Sequence, residues 1–224
     1  MSMTSLAAQT LQRQISSGTF APGNMLPGQR ELAESMGISR ASLREALSML
    51  EALGLVRSMP GKGTLVTRGS RQVAPLPFTP GDAADLQQLW QFRFCMEPAT
   101  AALAARNMRA DQAPRLWGVQ ARLEDAALTS DMVSASTADL DFHHLIAALS
   151  GNGHLVGLMS SFEPDIGRAV ALPFAEADRI HDVLREHRAI AAAICLGDAD
   201  GARLAMQQHL RASARTLGLV FVEP

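Results

Sequence analysis

The amino-acid sequence predicts a mainly α-helical protein that is divided into two domains, residues 1–70 and 82–224. Apolar residues recur at helical spacing through most of the chain, and strand-like patterns are confined to residues 55–66. The segment between the domains, residues 71–81, is rich in residues that break helices: Pro75, Pro77, Pro80 and Gly81. Proline density of this kind ends helices and stiffens the chain, so we predict a linker there.

The composition is that of a globular protein with a substantial core, because 47% of the 224 residues are hydrophobic and 19% are charged. No apolar run is long enough to span a membrane, and the first ten residues lack the charged start and apolar core of a signal peptide. The two cysteines, Cys95 and Cys195, lie outside any CxxC pattern. We therefore expect a cytoplasmic protein with reduced cysteines and no membrane partner.

The net charge of −2 is distributed unevenly along the chain. Residues 1–70 contain seven basic and four acidic side chains, which gives them a charge of +3 and leaves −5 on the remainder. A basic domain attached to an acidic one is typical of a protein with one domain that binds a polyanion and a second domain with a different role.

Three helices are predicted in the N-terminal domain, at residues 6–15, 29–36 and 39–53. Gly37 supplies a tight turn between the second and third helices, and Ser39 is placed to cap the third. The third helix buries an apolar face, while Arg40 and Arg44 project one turn apart from another face. This arrangement is typical of a recognition helix, whose N-terminal residues meet base edges in the major groove.

A hairpin follows the third helix, because strand-like residues 55–57 and 64–66 flank Pro60-Gly61-Lys62-Gly63. A glycine-rich tip that carries a lysine can lie along a minor groove or a phosphate backbone. An arginine pair alone more often marks a solvated face, and a winged domain can serve protein contacts only. The turn, cap, arginines and wing in this order instead predict a winged helix-turn-helix that binds double-stranded DNA.

The C-terminal domain is predicted to be an all-helical bundle of six or seven helices. We place helices at residues 82–107, 111–128, 131–150, 153–171, 176–196 and 199–218. Two residues support the boundary between the last two helices, since Gly197 can end one helix and Asp198 can cap the next.

Four polar residues with metal-binding chemistry fall within this apolar bundle. Asp139 and His143 are four residues apart, so their side chains stack on one helical face about 5–6 Å apart. His187 lies on the core face of its helix, and His209 lies on a face of small residues. Each histidine alone is more simply a satisfied core or surface residue. Together, buried imidazoles and a carboxylate are unfavourable unless paired or metal-bound, and the set suits zinc, with nickel or manganese as alternatives.

Five motifs follow one another in the N-terminal domain: Gly18-x-Phe20-x-Pro22-Gly23-x-x-Leu26-Pro27, Arg30-Glu31-Leu32-Ala33-Glu34, Gly37-Ile38-Ser39-Arg40, Leu43-Arg44-Glu45-Ala46-Leu47 and Gly61-Lys62-Gly63-Thr64. They resemble the GntR family of regulators. The resemblance implies that the arginines contact bases or nearby phosphates and that the wing tip enters the minor groove. The predicted DNA-contacting residues are Arg30, Ser39, Arg40, Ser42, Arg44, Gly61, Lys62 and Gly63.

A second set of motifs lies in the C-terminal domain: Arg93-x-x-x-Glu97-Pro98, Asp139-x-x-Phe142-His143, Ser150-Gly151-Asn152, Glu186-His187-Arg188-x-Ile190 and His209. The set resembles the FadR C-terminal (FCD) domain in its metal-binding branch. The resemblance implies that Asp139, His143, His187 and His209 coordinate a divalent ion. The fatty-acyl-CoA-responsive member for which the domain is named lacks this set, so that effector is not expected.

The resemblance also implies that Arg93 faces an effector. A buried guanidinium would bind a carboxylate in a bidentate manner, although an ion pair with Glu97 at i+4 fits the spacing equally well. Arg168 and Phe174 are further candidates for lining the pocket.

The resulting hypothesis is a homodimeric repressor, not an enzyme, that binds a palindromic operator and is released by a small organic or sugar acid. Three alternatives remain open at this point. The ion itself could be the signal, the ion could be a structural staple, or the site could activate water in a metalloenzyme. Catalysis is disfavoured because no general base or catalytic motif accompanies the site.

Overall fold

The computed structural model describes residues 3–67, 80–171, 174 and 179–220. Within these residues the chain forms ten α-helices and one two-stranded sheet. The N-terminal elements are α1 (Met3–Ser16), α2 (Gln29–Met36), α3 (Arg40–Ala52), β1 (Val56–Met59) and β2 (Gly63–Val66). The C-terminal helices are α4 (Pro80–Asn107), α5 (Ala113–Leu128), α6 (Met132–Leu149), α7 (Gly153–Ser161), α8 (Glu163–Ala171), α9 (Arg179–Cys195) and α10 (Ala199–Thr216). This confirms the predicted fold class.

Local signals in the sequence explain the N-terminal elements. Gly37 ends α2 in the left-handed conformation, with φ of +64°, which costs glycine no side-chain clash. Ser39 caps α3 by accepting a hydrogen bond from the backbone N–H of Ser42. Strands β1 and β2 pair antiparallel, with Val56 opposite Val66, and form the predicted hairpin. The sequence-based helices and wing are therefore confirmed.

The C-terminal helices pack as a bundle in which α4 lies on α10, α5 lies on α6, and α9 contacts α4, α5 and α10. As predicted, Gly197 ends α9 with φ of +73°, and the Asp198 side chain caps α10 by accepting from the N–H of Gly201. The predicted linker, residues 71–81, lies mostly outside the described residues, and its last two residues begin α4.

One predicted helix, residues 153–171, is wrong as a single element. The chain leaves the helical conformation at Phe162, which separates α7 from α8. Pro164 is the second residue of α8 and has no backbone N–H to donate. Proline is favoured in the first turn of a helix but disrupts an interior, so a new helix begins here.

The two domains are in contact in this structure, with α1 packed on α6 and α3 packed on α8. Three polar side chains cross the contact between α1 and α6. The Gln9 amide donates to Ser134 Oγ over 2.7 Å, and the buried Gln12 side chain bonds the backbone of Ser130 and Val133. The N-terminus of α6 is therefore tied to the N-terminal domain.

Candidate metal centre and DNA-binding surface

The exposed side of α3 and the wing carry the basic residues predicted to contact DNA. Arg40, Arg44 and Lys62 are exposed, and Arg30 at the start of α2 is exposed beside Glu34, 3.0 Å away. None of these four cations is used to build the core, so all are available to a polyanion.

The four other predicted contacts help to shape this surface. The hydroxyls of Ser39 and Ser42 lie 2.9 Å apart at the N-terminus of α3, where Ser39 also serves as the cap. At the wing tip, Gly61 and Gly63 have φ of +72° and +112°, so the tight turn between the strands requires glycine.

The four predicted metal ligands meet inside the helical bundle. Asp139 and His143 come from α6, His187 from α9 and His209 from α10, and all four are buried. Each offers a ligand atom, and these atoms all lie within 4.8 Å of one another. Ligand atoms of a tetrahedral zinc ion lie about 3.4 Å apart, so the group is within roughly 1.5 Å of the size of a zinc site.

Unsatisfied polar atoms support the fit to a metal. Oδ1 of Asp139 and both ring nitrogens of His143 and of His187 are buried without a hydrogen bond of good geometry to any described residue. The nearest approaches are ion-pair contacts, including 3.1 Å between His187 Nε2 and Asp139 Oδ1. Buried polar atoms normally find partners, so a ligand that accepts several electron pairs at once would complete this cluster.

The electrostatics of the cluster also suit a metal. Burial acts most strongly on Asp139 and opposes its ionisation, but the three imidazoles, His187 foremost, outweigh it and hold the pKa of Asp139 at about 2. Burial lowers the pKa of His209 to about 4 and also lowers that of His187. At neutral pH the carboxylate is charged and these two imidazoles are neutral, which is the state in which they bind metals.

Two glutamates outside the predicted ligand set contact its histidines: Glu97 is buried and Glu186 is partly buried. Glu97 Oε2 lies 2.7 Å from Nδ1 of His143, although the angle is poor for a hydrogen bond. Nδ1 of His209 donates to Glu186 Oε2 over 2.8 Å. Both glutamates stand in the quoted motifs, but nothing in the spacing indicates which histidine on another helix each one meets.

A small cavity, partly open to solvent, adjoins the cluster, and its interior of about 10 Å³ has room for roughly one water molecule. Its polar wall includes two of the predicted metal ligands together with Arg93 and Ser213. Its apolar wall consists of Val170, Phe174 and Val183. Phe174 therefore lies where it was expected, whereas the side chain of Arg168 lies outside the described residues.

Arg93 forms the i+4 ion pair and also stands at the cavity wall, whereas its contact with an effector stays a prediction. Its Nε lies 2.6 Å from Glu97 Oε1, so the i+4 ion pair is present, and the same residue lines the cavity. Although burial raises the pKa of Glu97, Arg93 and His143 hold it well below its usual range. The carboxylate stays charged and Arg93 remains anchored at the cavity wall.

No described helix is long and apolar enough to cross a membrane. The fold and site together define a class of protein, a winged helix-turn-helix regulator with a helical domain that encloses a polar site. The chain belongs to the GntR family of bacterial regulatory proteins, which matches residues 4–66, and carries an FCD domain at residues 88–212. It is a DNA-binding transcriptional regulator, and the prediction that it is not an enzyme is confirmed.

Curated relatives of this chain are also regulators. A putative L-lactate dehydrogenase operon regulatory protein of Escherichia coli (strain K12) is 35% identical, over 84% of this chain and 76% of its own length. The Uxu operon regulator of Haemophilus influenzae is 32% identical, over 90% and 77%. The HTH-type transcriptional regulator LutR of Bacillus subtilis is 30% identical, over 88% and 92%.

Solved structures support the same family. A GntR protein of Streptococcus agalactiae is 26% identical, with a TM-score of 0.53 over 95% of this chain and 99% of its own. A putative GntR regulator from Rhodococcus sp. RHA1 is 24% identical and shares the fold, with a TM-score of 0.56 over 98% of this chain and all of its own.

Proposed function

We propose that this regulator is a repressor whose operator affinity is controlled by a small carboxylate metabolite bound at a metal in the FCD domain. Asp139, His143, His187 and His209 hold the ion, and the metabolite occupies the adjoining cavity with its carboxylate towards Arg93. The observation that carries the proposal is the meeting of four buried ligand residues beside a cavity whose wall presents a buried arginine.

The ligand set favours zinc, with nickel or manganese as alternatives, because three imidazoles and one carboxylate are borderline ligands. When bound, the ion supplies a positive charge and open coordination positions for an oxygen of the metabolite. Residues of the chain itself bind and orient the metabolite. Arg93 orients the carboxylate, the apolar wall excludes water, and the pocket size limits the length of the acid.

The charge balance around the cavity supports an anionic effector. The mostly buried charged residues there comprise two arginines and three carboxylates: Arg93, Arg179, Glu97, Glu186 and Asp139. Asp182 lies 3.9 Å from Arg179 but is half exposed and paired with Arg185, so solvent screens its charge. The mostly buried groups sum to one negative charge while the histidines are neutral. A divalent ion changes this to one positive charge, which a monocarboxylate then neutralises. Buried charge is unfavourable unless paired, so an anion is favoured over a neutral or cationic ligand.

The cavity volume and the relatives narrow the effector to a small hydroxy acid or sugar acid. The enclosed part of the cavity, about 10 Å³, holds roughly one water molecule, so only an acid of a few carbon atoms fits the proposal, and the cavity wall must move to admit it. A relative with 35% identity is named for an L-lactate dehydrogenase operon, which makes L-lactate the first acid to test.

Control of DNA binding requires that the two domains move together. The protein acts as a homodimer on a palindromic operator, because two half-sites need two recognition helices at fixed spacing. Helix α6 carries two of the four ligands and is tied at its N-terminus to α1, while α8 contributes Val170 to the cavity and packs on α3. An effector that favours one arrangement of these helices changes the spacing between the two DNA-binding domains of the dimer.

The test combines metal content with thermal unfolding and operator binding. The purified chain is assayed for bound metal, then screened with L-lactate and a panel of hydroxy and sugar acids, and titrated with a DNA site selected from random duplexes. His187→Ala removes a ligand, and His154→Ala removes an exposed histidine of α7 as the matched control.

The proposal expects near-stoichiometric metal, stabilisation by one acid and weaker operator binding in that acid, all lost in His187→Ala and kept in His154→Ala. Operator affinity that follows Zn²⁺ with no acid present would make the ion the signal. If the chain binds metal but neither its thermal stability nor its operator affinity responds to any acid, the metal has a structural role only.

A further inference from the structure

Two series of the same composition, each an arginine, a glutamate and a histidine, flank the proposed metal centre, one fully buried and the other with a partly buried glutamate. In the first, Arg93 Nε lies 2.6 Å from Glu97 Oε1, and Glu97 Oε2 lies 2.7 Å from His143 Nδ1. In the second, the Arg179 guanidinium makes two hydrogen bonds of 2.7 Å to Glu186, whose Oε2 accepts from His209 Nδ1 over 2.8 Å.

Burying these charges needs a reason beyond stability. Arg93 and Glu97 are 1% and 3% exposed, and replacing such a pair by apolar residues of similar shape is often neutral or stabilising. Each glutamate also uses one oxygen on an imidazole, so it is not fully committed to its arginine. Ion pairs that served stability alone would not need to place a carboxylate within 2.8 Å of Nδ1 on two different histidines.

We propose that Glu97 and Glu186 are positioning residues that hold His143 and His209 with Nδ1–H turned outward and Nε2 turned towards the ion. The inference rests on the proposed metal site. A neutral imidazole carries one proton, and a carboxylate at Nδ1 keeps that proton there, which leaves the electron pair of Nε2 for the metal. The arginines in turn hold each carboxylate in place.

The position of the remaining atoms agrees with this assignment. Nε2 of His143 lies 3.9 Å from Asp139 Oδ2, so this nitrogen faces the other ligands while Nδ1 faces Glu97. His209 turns Nδ1 to Glu186, so in the neutral ring Nε2 is the nitrogen that is left to bind the ion.

The third imidazole provides an internal comparison. His187 Nδ1 has no hydrogen-bond partner among the described residues, while its Nε2 lies 3.1 Å from Asp139 Oδ1. Its ring instead stacks on Phe142, with centroids 4.1 Å apart and planes 13° apart. This histidine is oriented by packing, so the glutamate variants should leave its proton position unchanged.

Three variants of the full-length chain test the inference. Glu97→Gln and Glu186→Gln keep the shape of the side chain and remove its charge. Glu124→Gln is the matched control, because Glu124 pairs with an arginine in the same way, with 2.9 Å to Arg188 Nε, but touches no histidine of the cluster. Zn²⁺ affinity is measured by competition with a chromophoric chelator, and imidazole tautomers in the zinc-free protein by ¹⁵N NMR.

Each of the two Gln variants is expected to bind Zn²⁺ about 10- to 100-fold more weakly than the wild type, whereas the control is unchanged. Zinc-free wild type is expected to carry Nδ1–H on His143 and His209, and each variant to raise the Nε2–H form of its own histidine only. Glu186 is less buried than Glu97, so Glu186→Gln disturbs the core less. That variant alone is sufficient for the test if Glu97→Gln does not fold.

Equal Zn²⁺ affinity in wild type and variants, or Nε2–H on both histidines of the zinc-free wild type, would overturn the inference and leave the proposed function standing. A wild-type chain that takes up no Zn²⁺ would overturn the metal site, and the positioning role would fall with it.

Discussion

The Gln12 side chain of α1 donates a hydrogen bond of 3.1 Å to the backbone oxygen of Ser130, 118 positions later in the chain. Its carbonyl oxygen accepts from the N–H of Val133 over 2.9 Å, which satisfies one of the free donors at the start of α6. Six residues further along α6 lies Asp139. A single rigid helix therefore connects the N-terminal domain with the proposed metal centre.

Replacing Gln12 by alanine should weaken this connection. We expect the free energy of unfolding to fall by about 1–3 kcal/mol, because the buried N–H of Val133 and the partly buried C=O of Ser130 lose their partner. The change in operator affinity that the acid produces should also shrink towards none. Denaturant unfolding and operator titrations with and without the acid measure the two effects. Gln14→Ala, on the same helix, is the control, and equal behaviour of both variants would contradict the role of Gln12.

Arg44 is expected to be the most sensitive residue of the recognition helix. Arg44→Ala should weaken binding to the selected DNA site by roughly 10- to 100-fold, because one bidentate contact to a base is worth about 1–3 kcal/mol. Binding to random duplexes should change much less. Fluorescence anisotropy at fixed salt distinguishes the two. Arg115→Ala removes the same charge from an exposed position of α5, and operator affinity that is equally reduced there would point to net charge alone.

Local sequence signals were sufficient for the N-terminal domain. The Ser39 cap, the Gly37 turn and the alternation around the wing each act over a few residues, so propensity and spacing predict them without knowledge of the tertiary packing. The i+4 spacing likewise places Asp139 and His143 on one face. The single helix at residues 153–171 was wrong because its apolar period runs on through Phe162, whereas the proline two residues later sets the break.

Contacts between distant helices could not be predicted in this way. Glu97 meets His143, and Gln12 meets Ser130, only because the packing angles of α4, α6 and α1 bring them together. Such angles depend on the sum of many side-chain contacts. The resemblance to the FCD domain identified the four ligands as a set, but it did not identify the carboxylates behind them.

Removing the metal should lower the thermal stability of the helical domain. Dialysis against a chelator is expected to reduce the unfolding midpoint by several degrees. A ligand whose free concentration is 100 times its dissociation constant stabilises the folded protein by about 2.7 kcal/mol, and this contribution is lost with the metal. Calorimetry before and after dialysis measures the shift, and readdition of Zn²⁺, Ni²⁺ or Mn²⁺ ranks the ions. Asp139→Asn should show no such shift, and a chelator effect of full size in that variant would remove Asp139 from the ligand set.

Filling the cavity should separate the effector from the metal. Ser213 lines the cavity, accepts a hydrogen bond of 3.1 Å from Arg179 and is not among the four ligands. Ser213→Val occupies space that the acid needs and removes a hydroxyl beside it, at a cost of about 1–3 kcal/mol in stability if the site is overpacked.

The Ser213→Val protein is expected to bind Zn²⁺ and the operator with unchanged affinity but to need at least about 10-fold more acid for release, a loss of about 1.4 kcal/mol. Titration calorimetry with the acid and operator titrations measure these quantities. Ser160→Val, on the exposed face of α7, adds the same bulk away from the cavity. An unaltered response to the acid in Ser213→Val would place the effector elsewhere, even if the metal is bound as proposed.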